Sequence, residues 1–197
     1  MKVALGFSVH SGWAAYVVAE AFSRLPGVVE RGRIEMADAP DTKQPYHAAE
    51  GLPLKEAQAL LGRFRAEAGR RADGAIGDVV NSLRRRGDEV LGCGLLLGSG
   101  RPSTSLEATL ASHALIHTAD GNHFRDAITD ACGRHGLAVV GIRERELMEH
   151  ASRALRASPP ELLQRLKDVG RALGPPFRQN EKYAALAAWS VLAAVKR

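Results

Sequence analysis

Apolar residues near the N-terminus fall in short runs that predict strands. Two runs, residues 3–9 and 13–19, are separated by a three-residue link, and this arrangement is typical of a hairpin. Residues 28–36 alternate apolar and charged side chains, which indicates a third strand with one exposed face. Residues 37–53 hold three prolines and predict a loop, and we expect its polar stretch 43–47 to act as a lid over a site.

Helical spacing of apolar residues dominates the rest of the chain. It runs from Leu54 until Gly87 ends the pattern, so we expect one long helix. Residues 90–98 form a continuous apolar run bounded by glycine, which is typical of a strand covered on both faces. The further predicted elements are a helix from Thr104 or Ser105 to about residue 118, helices at 120–135, 143–156, 159–173 and 180–195, and a strand at 137–142.

The composition is that of a globular protein without a membrane span. Apolar residues make up 45% and charged residues 25% of 197 positions, and no apolar run reaches the roughly 20 residues that a span requires. Polar residues 10–12 interrupt the apolar N-terminal run, so we interpret it as folded structure and expect a cytoplasmic protein. We expect one domain over residues 1–197, helical over 143–197, with buried thiols at Cys93 and Cys132.

The charge balance favours a polyanionic partner. The net charge is +5, and seven arginines cluster in the predicted long helical stretch, where acidic residues offset them in part. This stretch is either a solvated helix face or a nucleic-acid footprint, and the sequence leaves both interpretations open. The seven are Arg63, Arg65, Arg70, Arg71, Arg84, Arg85 and Arg86.

Three segments in this order resemble the ribonuclease H-like superfamily, and within it the Holliday-junction resolvases. VALGFSV with WAAYVV is similar to the first hairpin of that family, VLGCGLLLG to its fourth strand, and KYAALAAWSVL to its small-residue closing helix. The resemblance implies an α/β fold. Its mixed sheet would combine an antiparallel three-stranded hairpin unit with two further parallel strands, flanked by helices and followed by a helical C-terminal segment.

The residues that would do the nuclease chemistry of that superfamily are not retained. Active members hold two divalent ions with carboxylates. Ser8 stands at the position of the first-strand aspartate, and Ser99 stands close to where a glutamate is expected. Glu181 is a candidate for one carboxylate of the last helix, but Ala184 and Ala185 occupy the region of the second. The sequence therefore predicts the fold without conventional two-metal nuclease activity.

Polar residues at the predicted strand ends form a candidate pocket, because α/β sheets gather ligands beyond the carboxyl ends of their strands. Serine beside histidine permits nucleophilic catalysis, and the glycine-containing loop at 98–102 suits phosphate. A polar rim of turn residues explains the same pattern, and the charged run 143–146 is interpreted as an ion-paired helix start. The candidates are Ser8, His10, Ser11, Ser99, Arg101, His113 and His117.

The two candidate histidines on a predicted helix are four residues apart, which places them on one face. Joint binding of a transition metal would need a third ligand from His10, His47, His123 or Glu107. We interpret His113 and His117 as ordinary helix residues, so the sequence assigns no metal site, and it identifies no cofactor.

Arg178 and Lys182 precede or begin the closing helix, where they suit contacts to phosphate oxygens. The leading hypothesis is a bacterial-type protein that binds nucleic acid or a phosphorylated small molecule at the strand ends without cleaving it. A hydrolase or transferase that uses Ser8, His10 and the histidine pair is the alternative, and a protein-interaction module docking through the arginine-rich helix is another.

Overall fold

Five strands form one mixed sheet in the computed structural model, which describes residues 1–21, 25–101 and 103–195. The sheet order is β3-β2-β1-β4-β5, with β1, β2 and β3 antiparallel and with β4 and β5 parallel to β1. This topology confirms the predicted hairpin unit with two further parallel strands. The strands are β1 Lys2–His10, β2 Trp13–Glu20, β3 Gly27–Glu35, β4 Glu89–Leu97 and β5 Val139–Arg143.

Helices cover both faces of this sheet. One hydrophobic cluster joins α3 and α5 to the sheet, and a second joins α6, α7 and α8 to the opposite face. The central strand β1 is buried on both faces for this reason, and its apolar residues need not alternate with polar ones. The helices are α1 Pro40–Lys43, α2 Pro45–Ala48, α3 Leu54–Arg85, α4 Leu106–Leu110, α5 His113–Arg134, α6 Leu147–Leu155, α7 Pro159–Leu173 and α8 Gln179–Val195.

The single long helix α3 is confirmed, whereas two other predictions of local structure were wrong. The segment 37–53 contains α1 and α2 and is not a plain loop. The predicted helix ending near residue 118 ends at Leu110, and the extended backbone of Ser112 lets a new helix begin at His113. Apolar residues keep helical spacing across this break, so the sequence pattern could not show it.

Helix α8 packs directly on the centre of the sheet through small residues. A Cβ atom at Gly6 of β1 would lie 1.9 Å from the carbonyl oxygen of Ala184, and one at Gly94 of β4 would lie 2.5 Å from that of Ala187. The contacts therefore join backbone to backbone, which only glycine permits at these two strand positions. They fix the first turn of α8 at the carboxyl ends of β1 and β4.

The structure bears on two further expectations, the burial of the two thiols and the hydropathy of the helices. Cys93 and Cys132 are both buried and free, as predicted. Among the described residues, no helix is both long enough and apolar enough to cross a membrane.

Candidate functional site

An open crevice lies at the carboxyl ends of the parallel strands, beside the start of α8. Its volume is about 330 Å³. Ser99 follows β4, residues 143–145 end β5 and begin the turn that follows it, and Tyr183 comes from α8. The strand-end position expected from the sequence is therefore where a pocket occurs. The lining residues are Gly98, Ser99, Arg143, Glu144, Arg145 and Tyr183.

Ser8 and His10 lie on the same face of β1, two residues apart, and point toward the α8 side of the sheet. The Ser8 Oγ and His10 Nε2 atoms are 3.5 Å apart. The His10 ring stacks on Trp13 with 4.5 Å between ring centroids. Burial lowers the pKa of His10, and a hydrogen bond with the Asn180 side chain acts in the opposite direction. Burial therefore favours the neutral form of the imidazole.

This Ser/His pair lacks several parts of a nucleophilic site. Only 4% of the Ser8 surface is exposed, so a substrate carbonyl or phosphoryl group has no open approach to its hydroxyl. No described carboxylate forms a hydrogen bond or ion pair with the His10 ring, although an orienting acid is part of the usual triad arrangement. The geometry suits a polar floor of the crevice better than a reacting group.

Arg125 of α5 places a half-buried guanidinium beside the crevice, and the sequence analysis did not identify it. Its Nε donates a hydrogen bond to the Leu96 carbonyl oxygen at 3.0 Å. A Cβ at Gly98 would lie 3.3 Å from its Nη1, and one at Gly121 would lie 2.7 Å away. The guanidinium thus lies between Gly98, just after β4, and Gly121, one helical turn before Arg125 in α5. These two glycines are the signal of this arrangement in the sequence.

The charge of this guanidinium is not neutralised by a close carboxylate within the described parts of the chain. Burial lowers the pKa of Arg125, and the nearby charges of Glu144 and Asp126 oppose that effect without forming an ion pair with it. An arginine remains protonated in proteins even so. A partly desolvated positive charge therefore lies next to Gly98, at the edge of the crevice, where an anion can neutralise it.

Positive charges also outnumber negative ones in the lining of the crevice. Arg143 and Arg145 both contact Glu146, at 3.8 and 3.3 Å, so the two guanidinium groups share one carboxylate. Glu144 is the one acidic residue that lines the crevice among the described residues. Because arginines outnumber acidic residues here, this arrangement favours anions over a pair of divalent cations.

The remaining strand-end candidates lie at the edge of the crevice or beyond it. Ser11 is exposed in the turn between β1 and β2. Arg101 is exposed in the loop after β4, and a Cβ at Gly100 would lie 2.3 Å from Thr118 Oγ1. This loop therefore leaves the crevice and runs along α5, away from Arg125.

Arg178 and Lys182 line a different groove, on the α7 side of α8. The groove has a volume of about 540 Å³ and also contains Lys167 and Arg171 of α7. Glu181 accepts a hydrogen bond from the Arg178 backbone N–H at 2.7 Å and so caps the start of α8. The first turns of α8 thus separate a basic groove from the crevice, with Asn180 and Tyr183 on the crevice side.

His113 and His117 form a separate cluster with His47 of α2. The Nε2 atoms of His113 and His117 are 3.1 Å apart, and one nitrogen from each of the three rings lies within 4.8 Å of the others. His47 is thus the third histidine that the helical pair required. The described residues show no hydrogen bond, ion pair or ring contact between this cluster and Ser8 or His10, so the single predicted Ser/His pocket is two sites.

The segment that holds His47 does not form a simple lid over the crevice. A Cβ at Gly12 would lie 2.7 Å from Lys43 Cγ, so Lys43 packs against the turn between β1 and β2. The Tyr46 backbone N–H and the His47 ring are instead bound to Asp120 of α5. Residues 43–47 therefore bridge the hairpin turn to α5.

Two solved structures of RuvC from Thermus thermophilus have a similar fold. One, described as T. thermophilus RuvC in complex with Holliday junction substrate, has a TM-score of 0.56 and 11% identity over 98% of this chain and 94% of that chain. The other, Thermus thermophilus RuvC, has a TM-score of 0.53 and 11% identity over 98% and 95% of the two chains. No protein-family model and no curated protein matches the sequence. The chain thus has the ribonuclease H-like α/β fold that its sequence suggested, with a remote resemblance to the Holliday-junction resolvases.

Proposed function

We propose that this protein binds the phosphate backbone of a nucleic acid at the strand-end crevice and does not cleave it. The observation that carries the proposal is the Arg125 guanidinium, half-buried at the end of β4 with no ion-paired carboxylate among the described residues. A planar guanidinium offers two parallel donors to a phosphate, and partial desolvation strengthens that attraction. Arg143 and Arg145 extend the positive charge along the same crevice.

A second basic surface supports an extended polyanion over a small ligand. The groove with Lys167, Arg171, Arg178 and Lys182 lies on the other side of the α8 start, so a nucleic acid that crosses this turn would meet both surfaces. The T. thermophilus RuvC structure, whose fold is similar, is described as a complex with a Holliday junction. A branched DNA is therefore the first polyanion to test.

The expectation that the protein does not cleave nucleic acid rests on the donor groups near the crevice. Two-metal hydrolysis needs several carboxylates that share two ions about 3.5–4 Å apart. Near the described strand ends, Ser8 stands where such an acid is expected and Glu181 caps α8. In the lining of the crevice, Glu144 is outnumbered by arginine. We therefore expect Mg²⁺ to cause no strand scission.

The interaction-module alternative has less support, because several of the α3 arginines are already paired within the chain. Arg70 and Arg71 both contact Glu67, and Arg71 also contacts Asp38 at 2.9 Å. Arg84 donates to the His135 carbonyl oxygen at 2.9 Å. These partners favour the interpretation of α3 as a solvated, ion-paired helix face.

The proposal is tested by fluorescence anisotropy with labelled single-stranded, duplex and four-way-branched DNA and with RNA, across a salt series with and without Mg²⁺. The double variant Arg143→Ala/Arg145→Ala should weaken binding. It should also lower the slope of log K against log salt by about 1.8 on duplex DNA, because each lost phosphate contact removes about 0.9.

Arg153→Ala is the matched control. Arg153 is exposed, pairs with Glu149 on α6, and lies near the C-terminal end of α8, away from the crevice. The Arg153→Ala variant should leave both the affinity for nucleic acid and the salt slope unchanged. Equal losses in the control and the double variant would contradict the crevice as the site, and strand scission with Mg²⁺ would contradict the non-nucleolytic role. Absence of binding at low salt would reject nucleic acid and favour a phosphorylated small molecule.

A further inference from the structure

Three histidines from two separate helices converge on the surface of α5. His113 and His117 lie one helical turn apart at the start of α5 and are exposed, and His47 comes from α2 and is half-buried. The rings are mutually close, with centroid separations of 5.2 Å for His47–His113 and 4.6 Å for His47–His117. The cluster is distinct from the crevice, and nothing in the proposed nucleic-acid function uses it.

The spacing of the ring nitrogens matches the geometry of a tetrahedral zinc site. Two nitrogens that each lie about 2.05 Å from a tetrahedral ion are about 3.3 Å apart. The His113 and His117 Nε2 atoms are 3.1 Å apart, and all three ligand nitrogens lie within 4.8 Å of one another. The two edges to His47 are at most 4.8 Å, so a bound ion would draw the exposed rings of His113 and His117 toward His47.

A buried carboxylate orients the third histidine. His47 Nδ1 lies 2.5 Å from Asp120 Oδ2, and the other oxygen, Oδ1, accepts the Tyr46 backbone N–H at 2.7 Å. Asp120 is 3% exposed, so both of its oxygens are held in place. A carboxylate on Nδ1 keeps the proton on that nitrogen and leaves Nε2 free as a ligand, which is the outer-shell arrangement common around zinc-binding histidines.

We propose that His47, His113 and His117 bind one transition-metal ion of the zinc class, with Asp120 as the outer-shell partner of His47. Three histidines leave a fourth position open, and the exposure of His113 and His117 opens that position to water or to a small exchangeable ligand. The ion would tie the α2 segment to α5. This differs from the sequence interpretation, which assigned no metal site because His113 and His117 alone provide two ligands.

The test is a titration of the metal-free full-length protein with Zn²⁺ in competition with a chromophoric chelator, followed by Co²⁺ substitution and visible spectroscopy. We expect one Zn²⁺ per chain and the intense visible absorption of four-coordinate Co²⁺. His117→Ala should abolish stoichiometric binding. Asp120→Asn should weaken it by 10- to 100-fold, as is usual for outer-shell partners.

His150→Ala removes a histidine outside the cluster and is the matched control for non-specific binding. It should bind Zn²⁺ as the unaltered protein does. Circular dichroism of each variant shows whether the fold is retained, and His117 is the safest ligand to change because it is exposed. A stoichiometry well below one, or the same affinity for Zn²⁺ in His117→Ala and His150→Ala, would overturn the proposal. The short contact between the rings of His113 and His117 would then be a direct hydrogen bond. Neither result depends on nucleic-acid binding.

Discussion

His123 of α5 should govern the stability of this protein in weak acid. The residue is 3% exposed, and its Nε2 atom has no hydrogen-bond partner in the described parts of the chain. Burial lowers the pKa of His123 to about 4, and the charge of Arg65 acts in the same direction, while the Phe64 backbone opposes both. The native state therefore holds this ring neutral well below the ordinary imidazole pKa.

The size of the effect follows from the two pKa values. An unfolded chain binds a proton at about pH 6.5, whereas the folded chain binds it at about pH 4. Between these values only the unfolded state is protonated at this position, so the stability contribution is complete above pH 6.5 and declines as the pH falls toward 4. At about 1.4 kcal/mol per pKa unit, the total loss is about 3 kcal/mol.

The assay is urea unfolding of the unaltered protein and of His123→Leu between about pH 7 and about pH 4.5. At pH 7 the variant should differ by less than about 1 kcal/mol, because leucine removes an unpaired buried nitrogen and retains most of the volume. Over this pH range the acid-dependent loss should shrink by about 2 kcal/mol in the variant, because the last part of the total loss occurs below about pH 4.5. Burial also lowers the pKa of His10, so a residual loss of the same sign remains in both proteins.

His150→Ala is the control, because it removes a histidine that lines a different surface. Its pH dependence should match that of the unaltered protein. If His123→Leu retained the full acid sensitivity, the argument from burial would be wrong, and the source of that sensitivity would lie elsewhere.

Two further predictions concern packing and thiol chemistry. Gly6→Ala should destabilise the fold by at least about 1–3 kcal/mol in urea unfolding, because its Cβ would lie 1.9 Å from the Ala184 carbonyl oxygen. Gly62→Ala, where a Cβ meets nothing within 4 Å on the helix surface, should instead be neutral or stabilising by up to about 1 kcal/mol, and equal effects would contradict this account. Cys93 and Cys132 should not react with a thiol reagent until the protein unfolds, because the hydrogen bond with Cys132 and then burial raise the pKa of Cys93. Rapid reaction of the native protein would refute this.

Local patterns in the sequence were sufficient where neighbouring residues determine the structure. The N-terminal hairpin, the third strand β3 and the unbroken helix α3 all follow from the spacing of apolar residues. The capping box formed by Ser158 and Glu161 at the start of α7 is a feature of the same local kind, because it involves two residues three positions apart. Each of these features needs only contacts within one element or between consecutive elements.

The expectation that no conventional nuclease centre is present rests on the sequence alone, because it depends only on residue identity. Ser8 and Ala184 are serine and alanine in any arrangement of the chain. The structure adds that Ser8 is buried and that the Ala184 backbone packs against Gly6.

The two candidate sites were decided by tertiary structure. In the sequence, Arg125 is one of many charged residues on a helix. Only the packing of α5 against the end of β4 gives it the Leu96 carbonyl as a partner and a place between two glycines. His47 is distant in sequence from His113 and His117, and Asp120 joins the two segments. Periodicity reports which face of an element is apolar, whereas a site depends on which polar groups from different elements meet, and that is set by how the elements pack.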